Sequence, residues 1–380
     1  GTVLWLWWDD DDSTRRCGSA VRWNNAQAAG AVGVLIGSEL PVFTAGIAGN
    51  AGIPGAQLTA AETDLLEPAI AAATAEDPVV VHIGPSLANS AFVETPAIAD
   101  TLNSGSSRGV HGSLGVVKPD VAAPGTLISS AASGTGDDRV TYSGTSMSSP
   151  HVAGIAALVA QTHATWTPQQ IKAAVMNTAT HDVFAGLNGT GPAYGPERVG
   201  SGRVDARDAV GASVIAYAKD DPELVSVTFG LVDVADRTVT LKRDVTVANT
   251  TRSPQKYRAS FAQSTTAGGA TITVSPAKVT VPPRGTAKVT VTLTVDPRTL
   301  AREMDPTQVD SYLGGVPRDF VTTISGRLVL APEAGGPALR VPVQAAPRPV
   351  SALTSPPVAV GAGATTAPLV VQGRGVASGG

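Results

Sequence analysis

A serine lies between a short polar turn and an apolar helical pattern. Ser146 follows Ser143-Gly144-Thr145, and from Met147 onward apolar residues recur at helical spacing. These residues are Val152, Ile155, Ala156, Leu158 and Val159. We therefore predict that Ser146 sits at a helix N-terminus, where free backbone N–H groups and the helix dipole stabilise negative charge. This setting suits an acyl-transfer nucleophile, with the backbone N–H of Ser146 as an oxyanion donor and Thr145 as a weaker one.

Spacing alone leaves a second interpretation of Ser146 open, because a serine before a helix is commonly an N-cap. The longer motif, Gly144-Thr-Ser-Met-Ser-Ser-Pro-His-Val-Ala-Gly154, resembles the nucleophile signature of the subtilisin-like serine peptidases. The resemblance implies that Ser146 is the nucleophile. It also implies that His151 is a helix residue and not the general base. The neighbouring serines then have packing or hydrogen-bonding roles; they are Ser143, Ser148 and Ser149.

Composition narrows the class of protein. The sequence has 27 Lys and Arg residues and 31 Asp and Glu residues, a net charge of −4. This charge does not favour binding to nucleic acid. Abundant Gly and Pro with only 15% charged residues is typical of a compact, loop-rich extracellular protein. The single cysteine, Cys17, rules out an internal disulfide and is interpreted as structural. Since no apolar run reaches the length of a membrane-spanning helix, we predict no membrane span.

Residues 1–90 form the first predicted domain. An apolar strand, a short helix ending at Gly30 and a buried strand predict a βαβ-like beginning. A helix over 60–73, which Pro68 should break or kink, and a strand over 78–83 follow. The order Ala-Gln-Ala-Ala-Gly-Ala-Val-Gly-Val-Leu-Ile … Ile-Pro-Gly-Ala-Gln-Leu-Thr resembles the protease-associated domain inserted in many subtilisin-like peptidases, which implies a noncatalytic lid or recognition module. Because the chain opens within an apparent strand, we expect this domain to be truncated and residues to precede Gly1.

Residues 91–217 form the second predicted domain. Val117-Lys-Pro-Asp-Val-Ala-Ala-Pro-Gly125 resembles the family's stretch upstream of its serine motif, and the resemblance gives Lys118 and Asp120 no chemical step. Thr167-Pro-Gln-Gln170 is a capping box that predicts a helix to about Asn177. Gly200-Ser-Gly-Arg-Val-Asp-Ala206 resembles the end of the family's catalytic domain. This segment is therefore interpreted as the C-terminal part of a subtilisin-like α/β domain.

Residues 218–347 change to a period of two, which predicts an antiparallel β-sandwich. Two alternating runs carry this signal: Val239, Leu241, Val245 and Val247, and then Val289, Val291, Leu293 and Val295. The segment resembles the fibronectin-III-like domain that follows the catalytic domain in larger family members. Residues 348–380 are interpreted as a linker or a truncated next module. The expected fold is therefore multidomain, α/β plus β.

A serine nucleophile needs a base, and the base needs an orienting group. In the family an Asp, a His and an oxyanion Asn precede the inserted domain, so the resemblance places all three before Gly1. Asp100-Thr-Leu and His111-Gly-Ser mimic the required order, but His111 opens no apolar helix and is rejected as the base. His82, His163 and His181 also lack the required setting, and Gly49-Asn50 is interpreted as a loop.

In subtilisin, which belongs to the family that this sequence resembles, loss of the catalytic His lowers turnover about a millionfold. Residues 1–380 alone are therefore predicted to be inactive, although the parent is interpreted as a secreted serine endopeptidase acting on polypeptides. The alternative is a noncatalytic binding or adhesion protein on a decayed peptidase scaffold. No cofactor is expected. The run Asp9 to Asp12 lacks the ligand spacing of a calcium loop and is interpreted as a solvated charge run, and calcium dependence is left open.

Overall fold

The structure is a computed structural model that describes residues 1–8, 16–41, 47, 49–84, 94–109, 115–308, 310, 317 and 320–374. The chain divides into two compact units. The first holds the described residues of Gly1–Ile98 and Gly125–Met147, and the second those of Ala99–Pro124, Ser148–Tyr312 and Val316–Gly380.

Helices and strands alternate in the first part of the chain, and strands dominate the second. The α-helices are α1 (Ser19–Ala28), α2 (Ala60–Ala72), α3 (Thr145–Thr162), α4 (Pro168–Asn177), α5 (Pro196–Val199) and α6 (Ala206–Val210). The strands are β1 (Val3–Trp7), β2 (Gly33–Gly37), β3 (Gly55–Gln57), β4 (Ile128–Ala131), β5 (Arg139–Tyr142), β6 (Val214–Ala218), β7 (Val227–Val234), β8 (Val239–Asn249), β9 (Gln255–Thr265), β10 (Ala270–Ser275), β11 (Lys278–Val281), β12 (Thr286–Val295), β13 (Ile324–Pro332), β14 (Leu339–Pro349), β15 (Ala352–Thr354) and β16 (Gln372–Arg374). Among the described residues, no helix combines the length and apolarity that crossing a bilayer requires.

The first unit begins with the predicted βαβ arrangement. Strands β1 and β2 pair in parallel with Val3 opposite Gly33, and α1 connects them. All five residues of β2 are buried, which explains its unbroken apolar run. The small core around this sheet consists of Trp8, Trp23, Ala26, Val34, Ile36 and Ile53. A separate antiparallel hairpin, β4–β5, leads towards Ser146.

Two local predictions for this unit need correction. Pro68 was expected to break or kink α2, but the helix is not broken there and continues to Ala72. The carbonyl of Asp64 loses its helix donor there, but because both residues are exposed, water can hydrate that carbonyl. Residues 78–83 form no strand, and Val80 is 87% exposed. Apolar side chains alone did not make a strand because no sheet partner covers them in the described structure.

The second unit contains a β-sandwich, but it is not wholly antiparallel as predicted, because β14 and β7 pair in parallel. One sheet has the order β10-β12-β8-β6 and the other β11-β9-β13-β14-β7. The two alternating runs pair with each other in antiparallel register, with Leu241 opposite Leu293 and Val245 opposite Val289. Their alternate apolar side chains enter one core shared by both sheets. The predicted boundary between the second and third domains, at residues 217 and 218, falls within strand β6 (Val214–Ala218).

Helix α4 is fixed to both sheets by Asn177, which is fully buried. Its Nδ2 donates to the carbonyls of Ala216 and Arg340, each at 3.0 Å, and its Oδ1 accepts from the Ala216 N–H at 2.7 Å. Strand β6 is the edge of its sheet, and β7 pairs with β14 only from Val343 onward. The Asn177 amide therefore satisfies backbone groups that neither sheet ladder reaches.

Candidate active site

Ser146 stands on a strand–turn–helix connection. Strand β5 ends at Tyr142, and α3 begins three residues later. Gly144 makes this turn with φ +148°, a conformation that favours glycine, and its N–H donates to the Gly125 carbonyl at 2.7 Å. The Ser143 hydroxyl accepts from the N–H of Leu127 at 2.9 Å, which confirms a hydrogen-bonding role for this serine. The turn is thus tied at both residues that precede the helix.

Ser146 is the second residue of α3, as the apolar spacing predicted, and its side chain is exposed. Within the described part of the chain, neither its hydroxyl nor its backbone N–H has a hydrogen-bond partner, and the N–H of Thr145 is also unbonded. An exposed hydroxyl beside two free N–H groups at a helix N-terminus can attack a carbonyl carbon and stabilise the resulting oxyanion. The nucleophile role of Ser146 and the oxyanion-donor roles of Ser146 and Thr145 stay predictions.

The first turn of α3 is anchored by Ser148. Its Oγ donates to the Ala123 carbonyl at 3.0 Å, so this serine too has a hydrogen-bonding role. Asp120 lies three residues before Ala123. Its carboxylate accepts from the Nζ of Lys118 at 2.8 Å and lies 3.4 Å from the Nζ of Lys172 on α4. Lys118 and Asp120 therefore make structural contacts, as interpreted from the sequence.

The histidines after Ser146 have contacts of their own. His163 stacks on Trp166 with ring centroids 3.8 Å apart, and its Nε2 lies 2.9 Å from the Val210 carbonyl oxygen. His181 Nε2 lies 3.4 Å from a carboxylate oxygen of Asp205. The pKa of Asp205 is lowered, first because its carboxylate accepts from the backbone N–H of Asp208. This Asp is therefore primarily the N-cap of α6.

The geometry of the rejected pair of Asp100 and His111 is described only for Asp100. Asp100 forms an ion pair with Arg203, and its backbone carbonyl accepts from the Phe184 N–H at 2.8 Å. His111 lies outside the described residues, as does the acidic run from Asp9 to Asp12. The part of the chain that the structure describes contains no group of three or more His, Cys, Asp or Glu residues placed to hold a metal ion.

Sequence reasoning missed a buried polar cluster on the sandwich sheet. Arg327 on β13 is 2% exposed, and its guanidinium donates to the carbonyls of Gly200 and Tyr194, each at 3.2 Å. The buried carboxylate of Glu197 accepts from Ser325 at 2.8 Å and from Thr323 at 3.0 Å. Charged residues in strands that otherwise read as core were the available signal, since a buried charge must have partners.

Comparison with known protein families shows a match to the family described as the Subtilase family, Peptidase_S8, over residues 9–207, more than half of the chain. The chain belongs to the subtilase family. This subtilase chain is 52% identical over 73 residues to the Subtilisin-like protease SBT2.6 of Arabidopsis thaliana. The aligned residues cover 17% of this chain and 9% of that relative. It is 30% identical over 160 residues to the Minor extracellular protease Vpr of Bacillus subtilis (strain 168), 41% of this chain and 18% of the relative.

The subtilase chain thus spans less than a fifth of the length of either relative. Among solved structures, the FixG-related protein from Vibrio parahaemolyticus aligns with 36% of this chain and 98% of its own. The sequence identity is 11% and the TM-score 0.21, so this likeness supports no conclusion.

Proposed function

We propose that this subtilase chain is part of a serine endopeptidase that hydrolyses polypeptides through an acyl-enzyme on Ser146. The observation that carries the proposal is the exposed Ser146 hydroxyl at the N-terminus of α3, beside a backbone N–H that has no partner among the described residues, in a chain of this family. Its Oγ attacks the scissile carbonyl carbon while a histidine takes the hydroxyl proton. The oxyanion accepts from the Ser146 N–H, and Thr145 is a weaker donor. Collapse expels the amine, which receives the proton, and water then releases the acyl group.

The base, its orienting Asp and the oxyanion Asn are proposed to lie in a segment that precedes Gly1, so that residues 1–380 alone are inactive. The packing of α3 supports this proposal. Ile155 and Val159 are buried in a core of the second unit, to which this part of α3 belongs, yet Leu158 on the same helix is 49% exposed. A helix that is apolar on all sides is normally covered on all sides. The exposed side of α3 is therefore expected to pack against a further part of the catalytic domain.

The accessory assignments are also proposals. Residues 1–90 are proposed to be a protease-associated domain acting as a lid or recognition module, supported by the parallel βαβ beginning. Residues 218–347 are proposed to be a fibronectin-III-like domain, supported by the two packed sheets. Residues 348–380 are proposed as a linker or truncated module. Secretion is proposed because the relative Vpr is named as an extracellular protease.

Two experiments test the proposal. The coding DNA upstream of Gly1 should contain Asp-Thr-Gly, His-Gly-Thr and Gly-Asn in frame, and a start codon close to Gly1 would contradict it. The complete protein should cleave denatured casein, and Ser146→Ala should abolish cleavage. Ser149→Ala, an exposed serine of the same turn, is the matched control and should retain it. Casein cleavage that survives Ser146→Ala would refute the nucleophile, and absence of cleavage by the complete protein would favour the noncatalytic alternative.

A further inference from the structure

We propose that Arg327, in the β-sandwich, is a positioning residue for Ser146 and acts through a backbone relay that ends at Ser148. The proposal rests on the proposed function of Ser146. Three observations support it: the hydrogen bonds of Arg327, the backbone hydrogen bonds of segment 119–123, and the hydrogen bond that anchors the first turn of α3. Apart from Ser146 itself, each residue in the relay belongs to the second unit.

The relay starts at the fork of the Arg327 side chain. Its Nε donates to the Gly200 carbonyl, Nη2 to the Tyr194 carbonyl and Nη1 to the Ser264 hydroxyl, each at 3.2 Å. Burial lowers the pKa of Arg327 to about 10, so the guanidinium remains charged at neutral pH. A planar fork that bonds three fixed acceptors holds them in one arrangement, which a flexible cation cannot do.

Gly200 passes this constraint to Asp120. It follows α5 with φ +55°, and a Cβ added there would lie 2.0 Å from the Asp120 carbonyl oxygen. The next residue, Ser201, donates its N–H to that same carbonyl at 3.1 Å. The N–H of Ala122 donates to the Gly202 carbonyl at 2.9 Å, and Val204 donates back to Ala122 at 2.9 Å. These hydrogen bonds therefore fix the turn at residues 200–202 and segment 119–123 relative to each other.

Segment 119–123 meets α3 at its first turn. The Ala123 carbonyl accepts from the Ser148 hydroxyl at 3.0 Å, two residues after Ser146. Pro150 lies inside α3 and has no N–H to donate to the Ser146 carbonyl. The first turn therefore lacks one ladder bond, and the Ser148 contact replaces part of that restraint. A misplacement of about 1 Å at a reacting atom can cost about a hundredfold in rate.

The test compares Arg327→Met with Arg258→Met. Arg258 is a matched control because it also lies in the sandwich, but its side chain is 65% exposed and its Nε is 3.7 Å from Glu333. In residues 1–380, Arg327→Met should raise deuterium uptake in peptides covering 118–124 and 144–150, and Arg258→Met should not. This arm requires no activity, so it separates failure of the relay from failure of the proposed function.

In the complete protein, Arg327→Met should lower kcat about tenfold or more and leave KM within about twofold, because substrate contacts are unchanged. Since loss of a buried guanidinium can unfold the sandwich, Ser148→Ala provides a second variant that breaks the last link alone. It should lower kcat in the same way, with Ser149→Ala as its neighbour control. The double variant should cost no more than the larger single one, because both break one relay.

Three results would overturn the relay. The first is unchanged uptake at 144–150 in Arg327→Met. The second is a Ser148→Ala enzyme with the kcat of the parent. The third is a double variant whose loss equals the product of the two single losses, which would mean that the residues act independently.

Discussion

Asn177 is predicted to be one of the most sensitive positions in the second unit. Asn177→Ala removes three hydrogen bonds and leaves two carbonyls and one N–H of the edge strand β6 and of β14 unpaired in a buried site. Each unpaired buried group costs about 1–3 kcal/mol, so the free energy of unfolding should fall by about 3–5 kcal/mol after partial relaxation. That loss is a large part of the total of about 5–15 kcal/mol for a typical domain.

Hydrogen exchange in peptides covering 212–220 and 336–350 measures this loss locally, and urea unfolding followed by circular dichroism measures it globally. Gln161→Ala, an exposed amide on α3, is the control and should change stability by less than about 0.5 kcal/mol. If Asn177→Ala behaves like Gln161→Ala, the Asn177 bridge between the two sheets is refuted.

Three further predictions concern single side chains in the second unit. Gln344 is fully buried and, within the described residues, neither the oxygen nor the nitrogen of its side-chain amide has a hydrogen-bond partner. Gln344→Met should therefore raise the free energy of unfolding by about 1–3 kcal/mol in a urea titration. A decrease would show that ordered water satisfies the amide. Thr167→Ala breaks the capping box with Gln170 and should cost about 1 kcal/mol, whereas Thr167→Ser should not; equal losses would exclude the cap. The pKa of Asp205 is lowered by its bond from the Asp208 N–H, so its stabilisation is present above the unfolded pKa of about 3.9 and lost as pH falls through the folded pKa. Asp205→Asn should therefore lose less stability than the parent between pH 7 and pH 3, and equal losses would contradict the linkage.

Signals that are local in sequence predicted the elements that carry Ser146. The apolar spacing after Ser146 predicted α3, and the capping box at Thr167 predicted α4, because both depend on neighbours within one or two turns. The alternation around Val245 and Val289 predicted strands that prove to be paired. Period and capping need no knowledge of the tertiary structure, so these elements could be read directly.

Contacts between distant residues could not be predicted in this way. Arg327 and Gly200 lie 127 residues apart, and no periodicity links them. The residues 78–83 have strand-like composition but no strand, because a strand requires a partner that composition does not specify. Pro68 was expected to break or kink α2, but the helix is not broken there, because exposure allows the unpaired carbonyl to be hydrated. What escaped prediction was therefore set by tertiary contacts and solvent exposure.

The assignment of Ser146 as a nucleophile can be measured with a fluorophosphonate probe and peptide mapping. The complete protein should be labelled at Ser146 alone, and Ser146→Ala should remove the label. Residues 1–380 should remain unlabelled, because without a base the hydroxyl is not activated. Strong labelling of residues 1–380 would show that Asp100 and His111 were wrongly rejected. A complete protein that cleaves casein with Ser146 unlabelled would contradict the assignment itself.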